Sequence, residues 1–213
     1  MSITPDSREY RSFELRSKKT ENEESDGMVL VGRAVVFDSP EVMYEDGDTK
    51  FYEQVSRDAF KDAKIDDVIL NMNHEGQALA RTRNNTLQLT VNEHGLDIEA
   101  DMSKSQASRE AYEAVQNGLL DRMSFAFTVA QDSYDKETRT RTIEKIDRLF
   151  DVSLVNFPAY EATSVSARSY FEAQAEAERQ AAEAAKEAAE AERVRTEQRA
   201  MLVEKLNRLE GVE

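Results

Sequence analysis

With 213 residues, 39% of them hydrophobic and 33% charged, the chain is long enough for one compact domain plus an appendage and too apolar to be wholly disordered. The absence of cysteine excludes disulfides, a thiolate metal site and a cysteine nucleophile, and two histidines, His74 and His94, make a poor basis for a metal centre. A formal net charge of −15 argues against a nucleic-acid-binding surface, and no stretch approaches the roughly 20 apolar residues that span a bilayer.

Met1 to Lys19 mixes charges with single apolar residues, so no signal peptide and no secretion are expected. Met28 to Phe37 is rich in β-branched residues and predicts a strand, as does Val68 to Leu70. A short helix is predicted between them, over Ser56 to Ala63. Leu87, Leu89 and Val91 alternate with polar residues, Asn92 to Gly95 makes a turn, and Leu96, Ile98 and Ala100 alternate on the return, which is a hairpin signature. A helix follows: Ser103 and Gln106 have capping-box spacing, Ala107, Ala111, Ala114 and Val115 form a face, and Gly118 supplies a stop.

Three more strands are predicted: Arg122 to Ala130, Arg139 to Ile146 and Leu149 to Phe157, the first two joined around Asp132 to Lys136. The texture then changes near Ser169. From about Tyr170 to Leu209 the chain is built from Ala, Glu, Gln, Lys and Arg with no Gly or Pro, which predicts a long helix. Its apolar stripe is short, Leu202, Leu206 and Leu209, and no sustained heptad pattern is present. The expected organisation is a compact body over residues 1–168 and a helical arm over residues 169–213. The expected fold class is α+β, mainly β: an antiparallel sheet closed into a barrel or sandwich, helices on its outside, and a long C-terminal helix.

Three residues stand out chemically. Ser124 alternates with Met123, Phe125, Phe127 and Val129 and shares the other strand face with small residues, Ala126 and Thr128, leaving room for a second side chain or a peptide. On spacing alone an ordinary strand serine is the more frequent reading. His74 follows an apolar strand, where an imidazole is held rigidly with one nitrogen exposed and works as a general base. A plain loop histidine is the alternative; His94, at a hairpin tip, is the weaker candidate. Asp151 lies in an apolar strand in which Leu149, Asp151, Ser153 and Val155 share a face. A buried carboxylate there needs a partner: an imidazole N–H, or an arginine such as Arg122 or Arg148. Ser153 is the rival nucleophile.

In order, these segments resemble the caudoviral (HK97-type) prohead serine protease family. The likeness rests on Phe13-Glu14-Leu15-Arg16 with Val31-Gly32-Arg33-Ala34-Val35-Val36-Phe37, on Asn73-His74-Glu75, on Asn117 through Phe127, and on Leu149 through Tyr160. It covers about residues 10 to 168. The resemblance implies Ser124 as nucleophile and His74 as base; Asp151 stands where the family commonly has Glu. It also implies a β-barrel ringed by helices, as in herpesvirus assemblins. The activity implied is a serine endopeptidase with no metal or organic cofactor. Its partners would be the major capsid protein with its scaffolding segment, the chain itself as an autoproteolysis target, and a second copy. It would act in the host cytoplasm, inside the assembling prohead. Oxyanion donors are expected at the backbone N–H groups of Ala159 and Tyr160. A non-enzymatic scaffolding protein, and a protease fused to a working scaffold, are the other readings, and a metal hydrolase is a distant one.

Overall fold

A computed structural model describes residues 8–14, 28–156 and 165–210. Among them are strands β1 (Glu9–Glu14), β2 (Val29–Val36), β3 (Glu41–Asp46), β4 (Thr49–Val55), β5 (Ile69–Met72), β6 (Glu75–Arg81), β7 (Leu87–Val91), β8 (Gly95–Asp101), β9 (Arg122–Asp135) and β10 (Thr140–Val155). The helices are α1 (Gln106–Gln116) and α2 (Val165–Glu210).

The larger sheet runs β1-β9-β10-β4-β3, with β5 also on β10 and β6 outside β5. Its spine is β10, antiparallel to β9 along nearly its whole length but parallel to β4 through Thr140–Ile143 and to β5 through Asp151–Leu154. A smaller antiparallel sheet runs β2-β8-β7 and contains the expected hairpin, with Leu87 opposite Ala100 and Leu89 opposite Ile98. One apolar core joins the two, drawing Leu30, Val35, Leu96 and Ile98 from the small sheet and Phe125, Phe127, Val152 and Leu154 from the large one.

Several expectations need correction. The sheets are open, not a closed barrel: β1, β3 and β6 each have a neighbour on one side only among the described residues. The large sheet is mixed rather than antiparallel, because β10 takes two parallel partners from far upstream, pairings that local alternation does not encode. The strands predicted over 139–146 and 149–157 are one strand, β10, whose bulges absorb the breaks in alternation. Residues 56–63 form successive turns closed by Ala59 N–H to Ser56 O, Lys61 N–H to Asp58 O and Ala63 N–H to Phe60 O, not an α-helix. The cap of α1 is Ser105, whose hydroxyl accepts from Ser108 N–H at 3.1 Å, two residues later than expected.

The chain divides into one unit ending at Phe171 and a second beginning at Glu172. In the first, Phe171 is fully buried with its ring 6.2 Å from that of Phe51, and the Arg141 guanidinium lies 4.7 Å from the Tyr170 ring. Arg141 belongs to a buried ionic cluster. Its Nη1 donates to Glu9 at 2.8 Å and Glu53 at 3.0 Å, its Nε to Asp132 at 2.5 Å, and Arg11 bonds both Glu9 and Glu53. In the second unit every described side chain from Arg179 onward is exposed, including Leu202 and Leu206 of the expected stripe. Spaced pairs such as Glu204–Arg208, 2.7 Å apart, support that part of α2. Among the described residues no helix is long and apolar enough to cross a membrane.

Candidate active site

The second half of β10 organises the site. A bulge between Leu149 and Asp151 shifts its register against β9, so that Leu149 faces Phe127 while Asp151 faces Ala126 and Ser153 faces Ser124. Directly opposed residues of paired strands project to the same side. Asp151, Ser153, Ser124 and Ala126 therefore share one face of the sheet, and Leu149 does not join it as simple alternation predicts.

His74 reaches that face from the turn between β5 and β6. Met72 pairs with Glu75, leaving Asn73 and His74 as a two-residue loop with φ of 51° and 61°. Positive φ at both positions is the I′ hairpin geometry, natural for Asn and unusual for His, which carries a backbone cost of about 1–2 kcal/mol. Contacts with β10 and the chain just beyond it hold the loop in place. Asn73 N–H donates to Leu154 O at 2.9 Å, Asn156 N–H donates to the Asn73 side chain at 3.1 Å, and His74 N–H donates to Ser153 Oγ at 3.0 Å.

The loop delivers the imidazole to the carboxylate. His74 Nδ1 lies 2.6 Å from Asp151 Oδ1, with Asp151 buried and His74 partly exposed. An ionised carboxylate only accepts, so Nδ1 is the donor of this bond, and in the neutral imidazole that leaves Nε2 with a free lone pair. Tyr10, on neighbouring β1, meets the imidazole edge-to-face with ring centroids 4.5 Å apart. The carboxylate's partner is thus an imidazole and not Arg122 or Arg148.

Ser124 is 1% exposed, and its hydroxyl has no hydrogen-bond partner among the described residues. A buried hydroxyl without a partner is uncommon and costs stability, so it calls for an explanation. Ser153 is the opposite case. Its hydroxyl lies 3.2 Å from His74 Nδ1 and 3.1 Å from Asp151 Oδ1, and it also bonds Asn71 Oδ1.

The structure therefore brings His74, Asp151 and Ser153 into contact and sets Ser124 beside them in register, without a bond from Ser124 to His74. His94 stands apart, exposed at the β7–β8 turn beside Glu93. The expected oxyanion donors, Ala159 and Tyr160, lie outside the described residues. Sequence reasoning missed Asn71 and Tyr10. Asn71 is placed by the parallel pairing of β5 with β10, and Tyr10 by that of β1 with β9, neither visible locally.

No curated protein and no solved structure matches the chain. Residues 12–177, which include all the residues of this site but Tyr10, do match a family pattern: the chain belongs to the caudovirus prohead serine proteases.

Proposed function

We propose that the chain is a prohead maturation endopeptidase that acts by acyl transfer, with Ser124 as nucleophile, His74 as general base and Asp151 as the orienting carboxylate. The observation that carries this reading is the 2.6 Å His74–Asp151 pair on the same sheet face as a buried, unpartnered Ser124 hydroxyl. Asp151 fixes the tautomer in which Nε2 accepts a proton and supports the imidazolium that then forms. His74 Nε2 takes the Ser124 proton as Oγ bonds to the peptide carbonyl carbon. Collapse of the tetrahedral adduct breaks the C–N bond, and His74 hands the proton to the leaving amine. Water then attacks the ester, giving one proton to His74, which returns it to Ser124. Catalytic hydrogen bonds of this kind often close only when substrate is bound, which accounts for a Ser124 hydroxyl still without a partner.

Family membership supports the capsid precursor as substrate, within the assembling prohead in the host cytoplasm. The finer reading is that the chain removes the scaffolding segment of the major capsid protein and also cleaves itself. A second reading, in which the arm itself acts as scaffold, is favoured by the exposure of α2 beyond Arg179.

The deciding experiment is intact-mass analysis of the chain and of Ser124→Ala, each alone and co-expressed with capsid protein. Fragments are expected only with Ser124 present. Identical fragments from both would remove Ser124 from the chemistry. Capsid assembly supported by an uncleaving Ser124→Ala chain would favour the scaffold reading.

A further inference from the structure

We infer that Ser153, held by Asn71, is a positioning residue for the general base and not a nucleophile, an inference that rests on the peptidase reading above. Ser153 is fully buried, and Asn71 is 3% exposed. A hydroxyl has one proton to give and two lone pairs to accept with. Ser153 Oγ accepts the His74 backbone N–H at 3.0 Å, and acceptor atoms surround its proton: Asn71 Oδ1 and, at 3.1 Å, Asp151 Oδ1.

That backbone bond matters because of the loop's shape. In a two-residue I′ turn the second loop residue's N–H is not part of the strand ladder, and its left-handed conformation is unfavourable for a non-glycine residue. Ser153 satisfies this N–H from the strand that also carries Asp151. One hydroxyl thus ties the backbone of the base to the acid that orients its ring. Its place beside Nδ1, the nitrogen occupied by Asp151, is wrong for a nucleophile, which must give its proton to Nε2. Asn71 keeps the hydroxyl pointing this way: it faces Ser153 in the parallel β5–β10 register and accepts from it.

The test uses the whole 213-residue chain, Ser153→Ala and Asn71→Ala, each read three ways. These are kcat and KM on the cleaved capsid protein, the rate and site of labelling by a fluorophosphonate probe, and the imidazole Nδ1–H proton signal of His74 in NMR. Ser153→Ala removes two or three hydrogen bonds. Its kcat is expected to fall about 10- to 100-fold at unchanged KM. Labelling should stay on Ser124 and slow by a similar factor, and the Nδ1–H signal should broaden through faster exchange. Asn71→Ala should move the same readouts in the same direction by less, and it decides the matter if Ser153→Ala does not fold. A probe found on Ser153 in the wild-type chain would overturn the inference by making Ser153 the nucleophile. Unchanged kcat, labelling and proton signal would overturn it by leaving Ser153 without a role. If the wild-type chain takes no label and cleaves nothing, the peptidase reading fails. The Nδ1–H signal then decides alone: retained in wild type and lost in Ser153→Ala, it keeps the positioning role; equal in both, it removes it.

Discussion

Replacing Arg141 with leucine isolates what the buried ionic cluster contributes. Arg141 is 1% exposed and pairs with Glu9, Glu53 and Asp132, while among the described residues Arg11 is the only other cation bonded to the two buried glutamates. Without Arg141, two buried carboxylates share one guanidinium. Stranding a buried charge in this way costs about 3–5 kcal/mol, a large part of a typical domain's stability. For a domain of this size that is a fall in Tm of about 6 to 20 °C.

Scanning calorimetry is the suitable assay, since the chain has no tryptophan and α2 dominates the helical signal. The acid limb gives a second readout. Burial alone would push the Glu9 carboxyl up, but Arg11 and Arg141 outweigh it and hold it below its ordinary 4.5. A depressed carboxyl contributes stability that is full above its unfolded value and is lost as pH falls through the folded one. In Arg141→Leu that loss should begin at higher pH. Adding Glu9→Gln should recover part of the deficit. A Tm change below about 3 °C, with an unmoved acid limb, would refute the view that the cluster is dry and mutually dependent.

On the proposed mechanism Asp151→Asn should lower kcat by roughly 10⁴-fold with little change in KM, as loss of the orienting carboxylate does in Ser-His-Asp triads; full activity would remove Asp151 from the mechanism. Gly95→Ala should destabilise the small sheet by about 3 kcal/mol in urea titration, because its Cβ would lie 1.8 Å from the Val35 carbonyl oxygen; a neutral variant would mean that β2 and β8 can part there. Asp101 is held at about 2 by hydrogen bonds from the Ser103 hydroxyl and N–H and from Lys104. Its contribution is present above the ordinary 3.8 and fades as pH falls towards 2, so Ser103→Ala should raise its midpoint in a carboxyl NMR titration.

What the sequence made legible was local. The β7–β8 hairpin follows from strict alternation around Asn92 to Gly95, and α1 from its spaced alanines and Gly118. Ser124 on a small-residue face and Asp151 needing a partner, an imidazole or an arginine, were also readable from neighbours. The illegible parts depend on long-range pairing. Asn71 meets Ser153 only because β5 joins β10 in parallel, and Tyr10 meets His74 only because β1 edges β9. The barrel expectation failed for the same reason: sequence-adjacent hairpins suggest closure, while β10's distant parallel partners build an open, mixed sheet.

The shift at Leu149/Asp151 has a consequence of parity. In an unbroken ladder continuing from Leu149 opposite Phe127, Asp151 would come to lie opposite Phe125, on the core side, and no carboxylate would stand beside the His74 ring. The surplus residue is Phe150, whose ring lies 4.0 Å from the Arg8 guanidinium. Removing it would leave an even count, with Asp151 directly after Leu149 and still opposite Ala126. Removing Val152 instead would carry Ser153 to the far side of the sheet. It is the exclusion of Phe150 from the ladder, and not its presence in the chain, that keeps Asp151 on the face of the His74 ring.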